Sequence, residues 1–153
     1  FGVLAPEVPE QRCLLYWLMY YFNRHVGRWA LDLEGTCPYY VPAAGDDTVL
    51  GRREYGGPAT PVLATLAEDG ETLYLVIVNG SWDQSTPCRV EIRHFPAFEA
   101  QGILLTHTDP DGKPLLERKE DAIAPFPVTP GDGSLSCTLP PHAVVFLTLQ
   151  ATP

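Results

Sequence analysis

At 153 residues, with a formal net charge of −9 and only ten Lys and Arg, the chain has room for one ordinary domain and lacks the clustered positive charge needed to grip nucleic acid or an anionic membrane. Apolar residues make up 45% of it and charged residues 19%, and no uninterrupted apolar run approaches the roughly 18 residues that would span a bilayer. The expectation is a soluble globular chain whose natural partners are neutral: a sugar polymer or another apolar protein surface.

Phe1 to Glu10 has no basic segment followed by an apolar core and a cleavage site, and the chain does not start with Met. It is expected to be a processed product or a piece of a longer chain. Segment 10–26 reads as a helix, because Leu14, Leu18, Tyr21, Phe22 and His25 fall on one stripe at 3.6 residues per turn. Pro9 suits its start and Gly27 its end. Leu15, Trp17, Met19 and Tyr20 make the other sides apolar as well. A helix of that kind is expected to be buried against more than one neighbour, and a face built on Trp17, Met19 and Tyr20 is expected to be bare in the isolated chain.

After Gly35 the texture changes to short β runs broken by Pro and Gly, which number 16 and 13 in the whole chain. Pro61 to Ala67, a turn at Glu68-Asp69-Gly70 and Thr72 to Asn79 read as strand, tight turn and strand. Leu73 to Val78 is apolar on both faces, the mark of a central strand covered on both sides. Arg89 to His94 alternates, so that Val90, Ile92 and His94 are expected inward and Arg89, Glu91 and Arg93 outward. Gly102 to Thr108 follows as a strand closed by the turn-forming Asp109-Pro110-Asp111-Gly112. Leu135, Cys137 and Leu139 alternate with polar neighbours; Pro140-Pro141-His142 interrupts, and Ala143 to Leu149 resumes, which reads as a hairpin. Weaker strands are expected near Thr48 to Tyr55 and Leu115 to Ala124. The fold class is therefore mainly β, an antiparallel β-sandwich with one N-terminal α-helix. A terminal helix and connector occupy residues 1–34, and the sandwich occupies residues 35–153.

Motifs for catalysis are missing: there is no GxSxG elbow, no phosphate loop, no GxGxxG and no HExxH. His25, His94, His107 and His142 have no second ligand at i+2 or i+4, and the Asp109–Gly112 run has Pro114 where a calcium loop needs Gly. Glu117, Glu120 and Asp121 could in principle supply the two carboxyls of glycoside cleavage, but beside Arg118 and Lys119 they read as a solvated face. No catalytic residue, metal ligand or cofactor is assigned. Asn79-Gly80-Ser81 matches the glycosylation pattern, yet a turn closing the preceding strand explains the same residues. Trp82 is the single aromatic with a case for stacking on a sugar ring. Cys13, Cys37, Cys88 and Cys137 are spaced too widely for a CxxC pair or a zinc ribbon and read as small buried hydrophobes. A Cys88 to Cys137 bridge between strands is the alternative, so the compartment stays open between cytoplasm and secretion.

From about residue 12 the order of features resembles the carboxy-terminal end of glycoside hydrolase family 51 α-L-arabinofuranosidases. Tyr16-Trp17-Leu18-Met19-Tyr20-Tyr21-Phe22-Asn23-Arg24-His25-Val26-Gly27 resembles the last helix of their (β/α)8 barrel. Leu73 to Asn79 resembles a strand of their all-β tail, and Leu139-Pro140-Pro141-His142-Ala143-Val144-Val145-Phe146-Leu147 resembles its closing strand, with Ala143 in place of the usual serine. The resemblance implies a non-catalytic accessory domain that packs on and stabilises a catalytic barrel absent from this chain, since the catalytic glutamates of such enzymes lie upstream of the final helix. The barrel of the same enzyme is the implied partner, with carbohydrate and a second copy of the chain as further candidates. The alternative is a carbohydrate-binding module that uses Trp82 and nearby tyrosines; a small hydrolase built on Glu117 or Glu120 is the third reading.

Overall fold

A computed structural model describes residues 12–40, 57–107, 115–116 and 122–152. The expected weak strand at Thr48 to Tyr55, the Asp109–Gly112 turn and the Glu117, Glu120 and Asp121 cluster lie outside these residues. The elements in chain order are β1 (Arg12–Cys13), α1 (Leu14–Phe22), β2 (Trp29–Ala30), β3 (Tyr39–Tyr40), β4 (Gly57–Pro58), β5 (Val62–Leu66), β6 (Thr72–Asn79), β7 (Thr86–Glu91), β8 (Phe98–Leu105), β9 (Leu115–Leu116), β10 (Ile123–Phe126), β11 (Thr129–Gly131), β12 (Ser134–Leu139) and β13 (Ala143–Ala151). A six-stranded sheet has the order β10-β8-β13-β6-β5-β2 and a three-stranded sheet the order β11-β12-β7. All pairings are antiparallel.

The period of two along β6 and β13 sorts their apolar residues into two layers. Leu73, Leu75 and Ile77 of β6 and Val145, Leu147 and Leu149 of β13 form the core with Leu135 and Leu139 of the smaller sheet. Val76, Leu105 and Phe146 point the other way, where Leu14, Trp17, Leu18 and Tyr21 of α1 cover them. The layers are thus helix, large sheet, small sheet. This bears out the mainly β sandwich with one helix, and the double apolar face of Leu73 to Val78 has the physical cause expected of it.

The six expected strands are all present, but the hairpin is not. β12 pairs with β7 and β11, whereas β13 lies between β6 and β8, so Pro140 to His142 carries the chain across the sandwich from one sheet to the other. The sequence contains the reason: Ser136 and Thr138 give β12 one exposed face, while β13 buries Val145, Phe146 and Leu147 in succession. A strand apolar on both faces belongs in the middle of the covered sheet. The run ending at His94 also departs from the pattern. β7 stops at Glu91, Ile92 still donates its N–H to Gly133, and His94 takes a left-handed φ of 61° and is exposed. Val90 and Ile92 do pack against the core.

The helix is shorter than expected, because Arg12–Cys13 pairs with Leu115–Leu116 in front of it and the backbone tightens behind it. Arg24 and His25 bond three residues back, to Tyr21 and Phe22, and the Asn23 side chain donates to the Met19 carbonyl. Gly27 therefore does not cap α1. Its N–H donates to Thr65 Oγ1 at 2.8 Å, and a Cβ there would stand 2.3 Å from the Leu66 carbonyl oxygen. Only glycine lets the connector pass this close to β5. Gly27→Ala is expected to lower the unfolding free energy by about 1–3 kcal/mol, measured by urea denaturation.

The Glu68-Asp69-Gly70 turn forms as expected, with Gly70 at φ 73° and Asp69 accepting hydrogen bonds from the Glu71 N–H, the Thr72 N–H and the Thr72 hydroxyl. The Glu71 bond is the main cause that holds the Asp69 carboxyl below its ordinary 3.8; desolvation opposes it and the Thr72 bonds assist. A depressed folded value means that this contribution is present above about pH 3.8 and is lost as pH falls through the lower folded value. The Asp69 carboxyl resonance should accordingly titrate with a midpoint below 3.8, and Asp69→Asn should remove that part of the acid sensitivity of unfolding.

Candidate functional site

The inward stripe of α1, Leu14, Trp17, Leu18 and Tyr21, is used by the sheet. It continues into His25, which is buried and set 5.3 Å from the Phe146 ring and 6.0 Å from Tyr74, with Nδ1 donating to the Tyr21 carbonyl at 2.7 Å. The helix has a second apolar stripe. Leu15, Met19 and Phe22, at i, i+4 and i+7, are 42%, 49% and 38% exposed, and Val26 just past the helix end is 38% exposed. A nine-residue helix with no acidic residue in its first turn and no basic residue in its last presents apolar side chains to both sides. Such a surface has no reason to face water.

Trp17 lies on the sheet side rather than on the outer face expected of it, because position 17 is three residues from Leu14 and four from Tyr21 on the same stripe. Tyr20 is half-buried among aromatic neighbours, 5.5 Å from Trp17 and 5.2 Å from Tyr21, with the Arg24 guanidinium 4.0 Å above its ring. Met19 is exposed as expected; Leu15 and Phe22 join it in place of Trp17 and Tyr20. Beyond the helix, Trp29 on the edge strand β2 and Leu33 are also exposed. Sequence reasoning passed over these two; the alternation of Trp29, Leu31 and Leu33 was the available signal, and Leu31 does pack on the core.

The second region with candidate residues is the corner between β6 and β13. Asn79 closes β6, and its buried side chain knits three segments together. Nδ2 donates to the carbonyls of Gln84, Leu139 and Pro140 at 2.8, 3.2 and 2.8 Å, while Oδ1 accepts from the Ser81 N–H and the Thr86 hydroxyl. The amide nitrogen that would carry a glycan is thus occupied inside the fold, and the turn reading explains Asn79-Gly80-Ser81. His142, at φ 38°, donates its backbone N–H to Ser81. Its Nδ1 and Nε2 lie 3.0 and 2.9 Å from the carbonyl oxygens of Trp82 and His107. The Leu139 to Leu147 motif is therefore the buckle that fixes the crossover to the turn.

Trp82 is 57% exposed on this corner, and its ring lies 6.1 Å from that of His142. The four histidines are dispersed over the turn after α1, the β7–β8 connection, the segment after β8 and the crossover, and among the described residues no cluster of His, Cys, Asp or Glu could hold a metal ion. Cys13, Cys88 and Cys137 are half-buried and Cys37 is exposed, so the reading as buried hydrophobes fits Cys88 and Cys137, which pack on the core, and fails for Cys37.

No family model matches the chain, and no curated protein sequence matches it significantly. Solved structures do. The family 51 arabinofuranosidase of Xanthomonas axonopodis pv. citri is 24% identical, with a TM-score of 0.56 over 74% of this chain and 21% of its own. The family 51 α-L-arabinofuranosidase of Bifidobacterium longum is 19% identical, with a TM-score of 0.56 over 76% and 21%. The α-L-arabinofuranosidase of Thermotoga maritima is 13% identical, with a TM-score of 0.54 over 83% and 27%. The chain thus spans about a fifth to a quarter of the length of these enzymes, and it has the fold of that portion of glycoside hydrolase family 51 arabinofuranosidases.

Proposed function

We propose that this chain is the non-catalytic β-sandwich C-terminal domain of an arabinofuranosidase-like glycoside hydrolase, and that it packs on and stabilises the catalytic barrel of the same enzyme. In this reading residues 1–34 are the end of the barrel with its connector, which lends the edge strand β2 to the large sheet, and residues 35–153 are the accessory sandwich. The observation that carries this reading is the double apolar character of α1. Its inner stripe is spent on Val76, Leu105 and Phe146, and its outer stripe of Leu15, Met19 and Phe22 is left exposed among the described residues. The small share of the solved arabinofuranosidases that the fold accounts for supports a larger body beside it.

Burial of the outer stripe stabilises a complex at roughly 25 cal/mol per Å² of apolar surface removed from water. Each exposed large side chain therefore matters on the scale of about 1 kcal/mol. The purified chain is expected to leave a nitrophenyl arabinoside uncleaved and to show no saturable binding of arabinoxylan oligosaccharides. Cleavage that disappears in Glu117→Gln or Glu120→Gln would replace this reading with a small hydrolase. Oligosaccharide binding at millimolar affinity or better, abolished by Trp82→Ala, would replace it with a carbohydrate-binding module built on Trp82.

A further inference from the structure

Cys88 and Cys137 are register partners on β7 and β12. Both side chains are on the inner faces of these strands, half-buried beside the core with Val90, Leu135 and Leu139 as neighbours in the same layer. Directly opposed residues of an antiparallel ladder stand about 4.5–5.5 Å apart at Cα, inside the span of about 4.4–6.8 Å that a disulfide bridges without moving the backbone. Paired in register and turned to the same layer, the two thiols are neighbours, and each perturbs the other's ionisation. Neither side chain is fully buried, so a small reagent can reach the pair. From this geometry we infer that Cys88 and Cys137 are a reversible dithiol–disulfide site that low-molecular-weight disulfides oxidise.

The two sulfurs are chemically unequal. The hydrogen bond from Cys137 stabilises the Cys88 thiolate and holds its pKa at about 7 against the opposing effect of burial. The same hydrogen bond, burial and the charge on Cys88 push Cys137 up. Cys88 is therefore the attacking thiolate near neutral pH. It attacks one sulfur of a small disulfide, forms a mixed disulfide and expels one small thiolate. That step removes the negative charge beside Cys137, which can then lose its proton, attack Cys88 Sγ and expel the second small thiolate. The balance is two protein thiols plus one small disulfide giving one protein disulfide plus two small thiols. The two protein electrons pass to the small disulfide, and the two protons go to the departing thiolates.

The bond would tie β7, the outer strand of the small sheet, to its neighbour β12. It also closes the long loop from residue 88 to residue 137, which is where a disulfide restricts the unfolded chain most.

The test is incubation of the folded chain with glutathione disulfide at pH 8, followed by thiol titration in denaturant and peptide mapping. In a Cys13→Ser/Cys37→Ser chain, both thiols should vanish with no retained glutathione, and the mapped link should join residues 88 and 137. Dithiothreitol should restore both thiols. The oxidised form should unfold at a urea midpoint higher by roughly 1–2 M. Cys137→Ser should instead retain one glutathione on Cys88, and the unsubstituted chain mapped in parallel reports the same link if the double variant folds poorly. Stable double glutathionylation, a link to Cys13 or Cys37 in the unsubstituted chain, or a link that forms only in urea would overturn the inference.

Discussion

Asn79→Asp lowers the thermal unfolding midpoint by roughly 10 °C and the unfolding free energy by about 3–5 kcal/mol. The amide of Asn79 supplies two hydrogens to three carbonyl oxygens, those of Gln84, Leu139 and Pro140. An aspartate is isosteric and supplies none when ionised, so its negative oxygen would face three carbonyl oxygens in a site that water does not reach. Protonating it would restore a single donor, at the cost of a raised pKa. The loss is local in origin and global in effect, because the same side chain fixes the end of β6, the start of β7 and the crossover to β13. Asn79→Ala removes both donors and the acceptor without adding charge, and should be milder than Asn79→Asp. Equal effects of the two would show that packing, rather than hydrogen bonding, governs the site.

Phe146→Ala costs about 3–5 kcal/mol in urea unfolding, and it does so in a way that separates the two layers. Phe146 is fully buried on the helix side of the large sheet, between Val76 and Ile103 in the strand register. Its ring lies 5.9 Å from Tyr21 and 5.3 Å from His25. Truncation leaves a cavity under α1, so the near-ultraviolet dichroism of the helix aromatics should weaken while the sheet signal persists. Leu147→Ala, one residue on and facing the sandwich core, should cost a similar amount and leave the helix aromatics as they are. If Leu147→Ala disturbed those aromatics as much as Phe146→Ala does, the assignment of the two faces would be wrong.

The sequence carries this face assignment openly. Leu73 to Val78 and Ala143 to Leu149 are apolar at every position or nearly so, which requires cover on both sides, and the helix stripe of Leu14, Leu18, Tyr21 and His25 supplies the cover on one of them. The partnership of β12 and β13 was not legible, because two strands separated by a short break look alike whether the chain turns back in one sheet or crosses to another. What decides it is the left-handed backbone of His142 and the carbonyls gathered by Asn79. These contacts join residues some 60 positions apart, and no local pattern reports them. His94 was misread for a related reason: perfect alternation up to residue 94 does not register that the ladder partner ends at Ser134, opposite Glu91.

The candidate site was half legible. That α1 has more apolar surface than a single sheet can use follows from its composition, but which residues remain outside depends on how the helix is rotated on the sheet. Phe146 meets Tyr21, and the cluster it forms with Val76 and Leu105 takes Trp17; this sets the rotation, turning Trp17 in and leaving Leu15, Met19 and Phe22 out. Asn79-Gly80-Ser81 shows the converse, since a short pattern with a well-known chemical meaning is occupied here by a structural task.

The unspent face of α1 is tested most directly by a charge pair placed on it. Leu15→Lys/Met19→Lys should leave the unfolding free energy of the isolated chain within about 0.5 kcal/mol of its starting value, as substitutions at exposed positions do. If the chain packs on a catalytic barrel as proposed, the same variant should bind that barrel at least 100-fold more weakly in a titration calorimeter, as expected when two charges must be desolvated without partners. Unchanged affinity, or a loss of stability in the isolated chain as large as that of Leu18→Lys on the inner stripe, would contradict the account.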